Sequence, residues 1–206
     1  MWALAGPARP CYPVGDMIRE KIILERIGGK DVLDIGSVGQ TGEYSLWGLY
    51  ASGSPRSLTG IDLPEAQAAA RDAFGLPEDR IPRDPRIVLG DMESHRFDRQ
   101  FDVIVAGDVL EHMRNQGLFL ENVRRHLRGG GVFILTTPNA KWPTVVLRPN
   151  PTHTLWHDRH TLVRILGLAG FSIDRLVFYC GNKKSYGPLK RLLALHQSIL
   201  AVCSTK

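Results

Sequence analysis

The chain has 206 residues, of which 43% are hydrophobic and 23% are charged, a composition typical of one globular domain with a sizeable core. Its formal net charge of +5 is mildly basic, and solvated Lys and Arg side chains explain it without an anionic partner. Three widely spaced cysteines exclude a disulfide framework and a zinc cluster, which predicts reduced thiols and a cytoplasmic location.

The first thirty residues predict an arm followed by a helix. They lack the basic start and apolar run of a signal peptide, and the chain has no stretch of about eighteen apolar residues, so we expect no membrane insertion. Residues 14–27 place Ile18, Ile22, Ile23 and Ile27 at helical spacing. This pattern predicts a helix that packs one apolar stripe against the rest of the domain.

Residues 32–39 read as a buried strand that runs into a tight, glycine-containing turn. Gly36 and Gly39 occupy two glycine positions of a dinucleotide-binding turn, with Ser37 between them, but Asp34 stands where the first glycine belongs. A carboxylate there repels a diphosphate and attracts a ligand that carries an ammonium and a sulfonium. The turn therefore favours S-adenosyl-L-methionine over NAD or FAD, with purely structural glycines as the alternative.

Two further short strands also close on an acid. Asp62, followed by Leu63, ends the strand over residues 57–63, where a carboxylate can accept hydrogen bonds from both ribose hydroxyls of a nucleoside. Asp91 ends the next strand and can accept from an adenine amino group while Met92 packs on the ring. Each acid alone fits a solvated turn equally well. Three strand-ending acids in order favour a nucleoside site.

A fourth apolar strand begins at residue 101 and changes to helix-compatible spacing at Gly107. Ligands of open α/β sheets lie at the carboxyl ends of the strands, so Gly107 and Asp108 are expected to border the site. A helix over residues 117–127 follows, ended by the glycines of residues 129–131, and residues 132–139 predict a fifth buried strand.

With these motifs in order, residues 18–180 resemble a class I S-adenosylmethionine-dependent methyltransferase of the methyltransferase domain superfamily, small-molecule type. The resemblance implies a doubly wound, Rossmann-like α/β fold: a seven-stranded, mainly parallel sheet with helices on both faces. We expect one domain over residues 1–206, with an arm and helix over 1–30, a core over 31–180, and a basic helix and last strand over 181–206.

The resemblance also implies roles for individual residues. In similar enzymes the N-terminal arm closes over the cofactor, which makes Tyr12 a substrate-side candidate, although an ordinary surface tyrosine is the plainer interpretation. The resemblance further implies that Asp34, Gly36 and Gly39 line the methionine end of the cofactor and that Asp62 holds the ribose. It implies that Asp91 and Met92 frame the adenine and that Gly107 lies beside the cofactor.

Histidines supply the candidate general bases. His153 and His157 lie in a loop after the fifth strand, His112 follows the fourth, and a neutral imidazole can take a proton from a hydroxyl near pH 7. Trp156, in the same loop, is a substrate-side candidate. The loop leads into a helix predicted over residues 161–169.

The same region allows a less favoured alternative, in which Asp108, Glu111, His112 and His153 bind a divalent metal. Asp108 and Glu111 are three residues apart and would share a helix face. Ubiquinone-pathway O-methyltransferases and small-RNA terminal methyltransferases carry a similar acid-x-x-Glu-His run and a later histidine, which hold a metal near the acceptor hydroxyls. This chain has Asp108 where they have Glu. In a third interpretation Glu111 and His112 only cap or orient the helix.

The remaining pattern predicts a sixth strand over residues 170–179 and a last strand over 198–203, separated by a basic amphipathic segment at 181–197. A solvated helix over the sheet edge is the favoured interpretation of that segment, and a homodimer contact stays open. Basic residues are scattered rather than gathered with aromatic ones, which argues against nucleic acid as the partner.

We therefore predict a methyltransferase that acts on a small-molecule acceptor, most plausibly at oxygen in a biosynthetic pathway. The alternatives are a metal-assisted or RNA-directed 2'-O-methyltransferase and a catalytically silent scaffold that only binds the cofactor.

Overall fold

The computed structural model of the protein describes residues 18–37, 46–65, 87–180 and 196–206. Within these ranges seven strands form one sheet in the order β3-β2-β1-β4-β5-β7-β6. The strands are β1 (Asp31–Ile35), β2 (Ser57–Asp62), β3 (Ile87–Leu89), β4 (Phe101–Gly107), β5 (Leu127–Pro138), β6 (Phe171–Tyr179) and β7 (Ser198–Thr205). Strands β1 to β5 are parallel, and β7 runs antiparallel to both β5 and β6.

Helices cover both faces of this sheet. In the part of the chain that the structure describes they are α1 (Ile18–Ile27), α2 (Leu46–Ser52), a 3₁₀ turn (Leu110–His112), α3 (Gln116–His126), α4 (Pro143–Leu147) and α5 (Arg159–Leu168). Helices α1 and α2 pack on one face and α3 and α5 on the other, and successive residues of β1 and β4 alternate between the two cores. The predicted mainly parallel, doubly wound fold is confirmed. None of the described helices is long and apolar enough to span a bilayer.

The predicted stripe on α1 is largely correct. Ile22, Ile23 and Ile27 are fully buried, and Ile18 packs at the edge of the same core. Their three- and four-residue spacing places them on one side of the helix, which faces β1 and β4.

The junction between α3 and β5 differs from the sequence prediction. The helix ends at His126 and the strand begins at Leu127, so the glycines expected to end the helix lie inside β5. Leu127 pairs with Phe101, and an irregularity in register follows that pair. A Cβ on Gly131 would approach the Arg128 and Asp102 carbonyl oxygens to 2.8 and 2.9 Å, so this crossing of backbones requires glycine.

The edge of the sheet where the parallel strands begin is held by charges. Arg56 bonds to a carboxylate oxygen of Asp31 and to one of Asp102, each at 2.9 Å, and Arg128 donates to Asp102 from the other side. These arginines hold the pKa of Asp31 well below its usual range. Acids and bases are therefore paired at this edge, in contrast to the opposite one.

Candidate active site

The opposite edge, where the parallel strands end, contains a cavity of about 570 Å³. The cavity lies across the ends of β1, β2 and β4 and the turn after β3. Its walls are formed by Ile35, Gly36, Ile61, Asp62, Leu63, Glu65, Gly90, Asp91, Met92, Gly107, Asp108, Val109, His112 and Met113. Most of the residues that the sequence predicted for the cofactor therefore line one cavity. It lies where a doubly wound sheet is expected to bind its ligand, at the point where the strand order reverses. Gly39 and Tyr12 lie outside the described residues.

The turn after β1 needs its glycine. Gly36 adopts φ +80°, and a Cβ there would lie 2.7 Å from a methyl carbon of Val109. Its N–H donates to the Ile61 carbonyl at 2.9 Å, which ties the turn to β2. The next residue, Ser37, carries a buried hydroxyl that has no hydrogen-bond partner among the described residues.

Asp34 lies beneath this turn and is almost completely buried, at 1% exposure. The Tyr50 hydroxyl donates to Asp34 Oδ1 at 2.7 Å. Burial raises the pKa of Asp34 to about 7; the Tyr50 bond opposes this rise, Asp62 adds to it, and Arg19 opposes it. The acid that distinguishes this turn from a dinucleotide site is therefore close to half ionised at neutral pH.

Asp62 and Asp91 both reach the cavity, and each also serves its own turn. The Asp62 carboxylate accepts from the Leu63 N–H, and Asp91 accepts from the Glu93 N–H, both at 2.8 Å. Met92 is buried at 3% exposure, and its carbonyl oxygen accepts from Asn122. Each carboxylate can therefore close its own turn and still accept a hydrogen bond from a ligand, because a carboxylate accepts several hydrogen bonds.

Arg19 belongs to this site but to none of the sequence motifs that predicted it. One of its guanidinium nitrogens lies 3.6 Å from Asp108 Oδ2 and near the end of β4. Arg19 precedes Ile22 by three residues and Ile23 by four, so it lies on the same inward side of α1 as these buried residues. A cation within an apolar stripe was the sequence signal that could have identified it. Burial raises the pKa of Asp108, and the Arg19 charge opposes that rise.

A second cluster combines Glu111, His112 and His153, whose nearest nitrogen and oxygen atoms all lie within 4.8 Å of one another. The two imidazole rings pack edge to face with centroids 4.7 Å apart. Two hydrogen bonds of Thr154 hold the loop that carries His153 against the 3₁₀ turn. The Thr154 N–H donates to the Glu111 carbonyl at 2.7 Å, and its hydroxyl donates to the Met113 carbonyl.

Glu111 is the unusual member of this cluster. It is 1% exposed; Oε2 accepts from the Thr137 hydroxyl at 3.1 Å, and Oε1 has no partner among the described residues. Burial, with a contribution from Asp108, raises its pKa to about 8. Asp108 itself is not in the cluster. It has φ +54° and precedes the turn that begins at Leu110, so the expected helix face shared by Asp108 and Glu111 is wrong.

His112 and His153 differ in how their rings are engaged. His112 Nδ1 lies 3.2 Å from the Thr152 carbonyl oxygen, and since a carbonyl only accepts, Nδ1 is the donor of this bond. His153 Nδ1 is buried without a partner among the described residues. Burial lowers the pKa of His153, the nearby His112 adds to the effect and Asp108 opposes it, which favours the neutral imidazole that can accept a proton.

The structure places His157 elsewhere. Its ring is buried, Nε2 lies 2.8 Å from Gln116 Oε1, and its backbone carbonyl accepts from Ala140. The ring lines neither cavity, so the sequence expectation of a base facing the reacting atoms does not fit its position. His157 instead anchors the loop to α3 and to the end of β5.

A smaller cavity of about 260 Å³ adjoins the first. Asp108 lines both cavities, which places their common wall at the end of β4. The residues of the smaller cavity are Asp108, Pro138, Trp142, Val145, Arg148, Asn150, His153, Trp156, Gln197 and Ser198. Its walls contain aromatic and polar residues, and they include His153, which the sequence analysis proposed as a base, and Trp156, which it proposed as a substrate contact.

Comparison with known proteins agrees with this geometry. A family model described as a methyltransferase domain matches residues 17–176. A probable S-adenosylmethionine-dependent methyltransferase of Mycolicibacterium smegmatis is 31% identical over 169 residues, which cover 76% of this chain and 59% of the relative. A ubiquinone biosynthesis O-methyltransferase of Pseudomonas aeruginosa is 29% identical over 143 residues, covering 67% and 57%. The chain thus spans less than two thirds of the length of both relatives.

Solved structures share the fold. An S-adenosylmethionine-dependent methyltransferase from Mesorhizobium loti superposes with a TM-score of 0.62 at 17% identity, covering 90% of this chain and 97% of that one. A glycopeptide N-methyltransferase complexed with S-adenosyl-L-homocysteine gives 0.61 at 15% identity, covering 94% and 88%. At these identities the likeness establishes architecture alone.

Replacing Asp62 with Ala is expected to weaken S-adenosylhomocysteine binding by about 1 to 3 kcal/mol, because charge-assisted hydrogen bonds to the ribose are lost. Calorimetric titration measures the change. Asp98→Ala, which removes an exposed acid that does not line the cavity, is the matched control and should bind like the wild type. Equal affinity for the Asp62 variant and the wild type would refute the ribose assignment.

Asp34→Asn is expected to stabilise the cofactor-free fold at pH 8. The pKa of Asp34 is raised on folding, so the folded state favours the protonated acid and loses stability as pH rises from about 4 through about 7. Asparagine keeps an acceptor for Tyr50 and removes the buried charge. We expect a gain on the order of 2 to 4 kcal/mol in urea unfolding at pH 8, shrinking towards pH 4. A variant less stable than wild type at pH 8 would contradict this.

Proposed function

Because the chain belongs to the class I S-adenosylmethionine-dependent methyltransferases, we propose that the larger cavity binds S-adenosyl-L-methionine and that the smaller one presents a small-molecule hydroxyl for O-methylation. The observation that carries the proposal is the pair of adjoining cavities with His153 in the wall of the smaller one. When bound, the cofactor supplies an electrophilic methyl group on a sulfonium and leaves as S-adenosylhomocysteine.

The larger cavity suits this cofactor because acids surround it. Asp34 lies below its floor and Asp62, Asp91 and Asp108 line it, an arrangement that favours a ligand with an ammonium and a sulfonium. Arg19 places a positive charge beside Asp108, where its guanidinium can pair with the carboxylate of the methionine moiety.

The smaller cavity favours a small acceptor with mixed polarity. Its 260 Å³ lies below the usual range of about 300 to 1,000 Å³ for ligand pockets. Trp142 and Trp156 offer apolar surface, Arg148 a positive charge, and the buried Gln197 Oε1 an acceptor with no partner among the described residues. A single-ring compound that carries an anionic group and a protic group matches these walls.

Proton removal is assigned to His153. A hydroxyl is a weak nucleophile until it loses its proton, and the neutral imidazole in the cavity wall is the acceptor for that proton. Asp108, on the common wall, carries a charge that stabilises the imidazolium formed by the transfer. The proton then passes from His153 to solvent, which restores the neutral ring.

A second candidate, supported by a specific observation, is metal assistance at the same cluster. Glu111 Oε1 and His153 Nδ1 are buried atoms without partners among the described residues, and the cluster combines a carboxylate with two imidazoles. This donor set fits a divalent transition metal. Glu111, His112 and His153 would hold the ion, which would supply a Lewis acid for the acceptor oxygen. Relatives named as ubiquinone biosynthesis O-methyltransferases support oxygen as the acceptor atom in either case.

Matched single-ring phenols and anilines test the acceptor atom. With radiolabelled S-adenosyl-L-methionine, we expect label on carboxylated phenols and none above background on the corresponding anilines, because His153 and its surroundings serve to deprotonate oxygen. Transfer to the anilines alone would contradict O-methylation while leaving the cofactor assignment intact.

His153→Ala is expected to lower turnover by about two to four powers of ten while leaving S-adenosylhomocysteine affinity unchanged. His160→Ala, which removes an exposed histidine on α5, is the control and should stay active. Dialysis of the wild type against a chelator should leave turnover unchanged if His153 acts as a base. Loss of activity that added Mn²⁺ restores would instead favour metal assistance.

A further inference from the structure

Tyr50 is a buried polar group that the proposed chemistry does not use. It lies on α2, it is 0% exposed, and its ring packs among residues of α1, β1 and β4. Its hydroxyl donates to Asp34 Oδ1 at 2.7 Å. A tyrosine in this core has to satisfy its hydroxyl, whereas a phenylalanine would fill nearly the same space at no such cost.

The bond joins two elements that otherwise serve different purposes. Asp34 comes from β1 under the cofactor turn, and Tyr50 comes from the helix that follows that turn. A bond to one carboxylate oxygen limits rotation of the carboxylate. Orientation of this kind matters most for a short side chain that has to meet a cation at a fixed distance.

Groups from three elements act on the charge of Asp34. Tyr50 from α2 and Arg19 from α1 favour the ionised carboxylate, whereas Asp62 from β2 and burial disfavour it. The carboxylate is thus held near the balance between its two forms. The removal of one stabilising partner shifts that balance towards the neutral acid, which attracts an ammonium group far less.

We propose that Tyr50 is a positioning residue for cofactor binding, whose hydroxyl orients Asp34 and stabilises the ionised carboxylate that the cofactor's ammonium group requires. The inference rests on the assignment of the larger cavity to S-adenosyl-L-methionine and is independent of the acceptor. It gives α2 a role in cofactor binding, in addition to the acids at the strand ends.

A consequence is that cofactor binding is linked to proton release. At neutral pH the cofactor-free protein holds Asp34 partly protonated, because its pKa is about 7. A bound ammonium group favours the ionised form, so the proton leaves on binding. Tyr50→Phe raises the pKa of Asp34 further, and the affinity then requires a higher pH.

The test is a double-mutant cycle on the full chain with S-adenosylhomocysteine as the ligand, measured calorimetrically from pH 6 to pH 8.5. The proteins are wild type, Tyr50→Phe, Asp34→Asn and the double variant. We expect Tyr50→Phe to weaken binding about tenfold at pH 6.5 and less at pH 8.5. In the Asp34→Asn background the same change should alter affinity by less than about twofold, because asparagine has no charge to stabilise.

Proton counting gives a second measurement that does not depend on the Tyr50 variant. Titrations in buffers of different ionisation enthalpy report the protons released on binding, and the wild type should release more than Asp34→Asn at pH 6.5. Equal release by these two proteins would overturn the proposal. So would an equal, pH-independent loss of affinity from Tyr50→Phe in both backgrounds, since that is the signature of a structural role. A wild type without affinity at any pH would overturn the cofactor site itself.

Discussion

The parallel arrangement of β1, β2 and β4 places an acid at or next to the end of each of these strands, at one edge of the sheet. The negative charge that accumulates there shapes the rest of the site. Asp34 is a buried carboxylate and Asp108 a partly exposed one; the pKa of each is raised, and the nearby Asp62 contributes to the rise at Asp34. Arg19 is placed among them and offsets part of the repulsion. The cationic ligand proposed for this site would complete the balance, and it would account for an acid in the turn after β1, where a diphosphate site needs glycine.

Ion pairs at one edge of the sheet stabilise the fold, whereas the opposite edge forms the proposed site. Where the strands begin, Asp31 and Asp102 are bonded to arginines, and the pKa of Asp31 is held low. Where they end, Asp34 and Glu111 are buried and their pKa values are raised on folding, which lowers the free energy of unfolding at neutral pH. Buried charge of this kind is typical of a site that is completed by its ligands.

Much of this was predictable from the sequence because the signals are local. A short apolar run that closes on Asp62 or Asp91 identifies both the strand and the acid at its end, and parallel pairing then brings the ends together. Tyr50 and Gln197 were not found, because their roles arise from contacts between elements that no spacing encodes. Arg19 left one signal, a cation inside the apolar stripe of α1. His157 has the residue type of a base but is turned inward by Gln116, forty-one residues earlier. Residue type alone could not distinguish it from His153.

The most direct measurement is a crystal structure of the protein with S-adenosylhomocysteine. We expect the ligand in the larger cavity, with its ribose hydroxyls about 2.5 to 3.2 Å from Asp62, its adenine beside Asp91 and Met92, and its sulfur facing the wall at Asp108. That pose points the transferred methyl group at the smaller cavity. A ligand seated in the smaller cavity, or one whose ribose does not reach Asp62, would contradict the account.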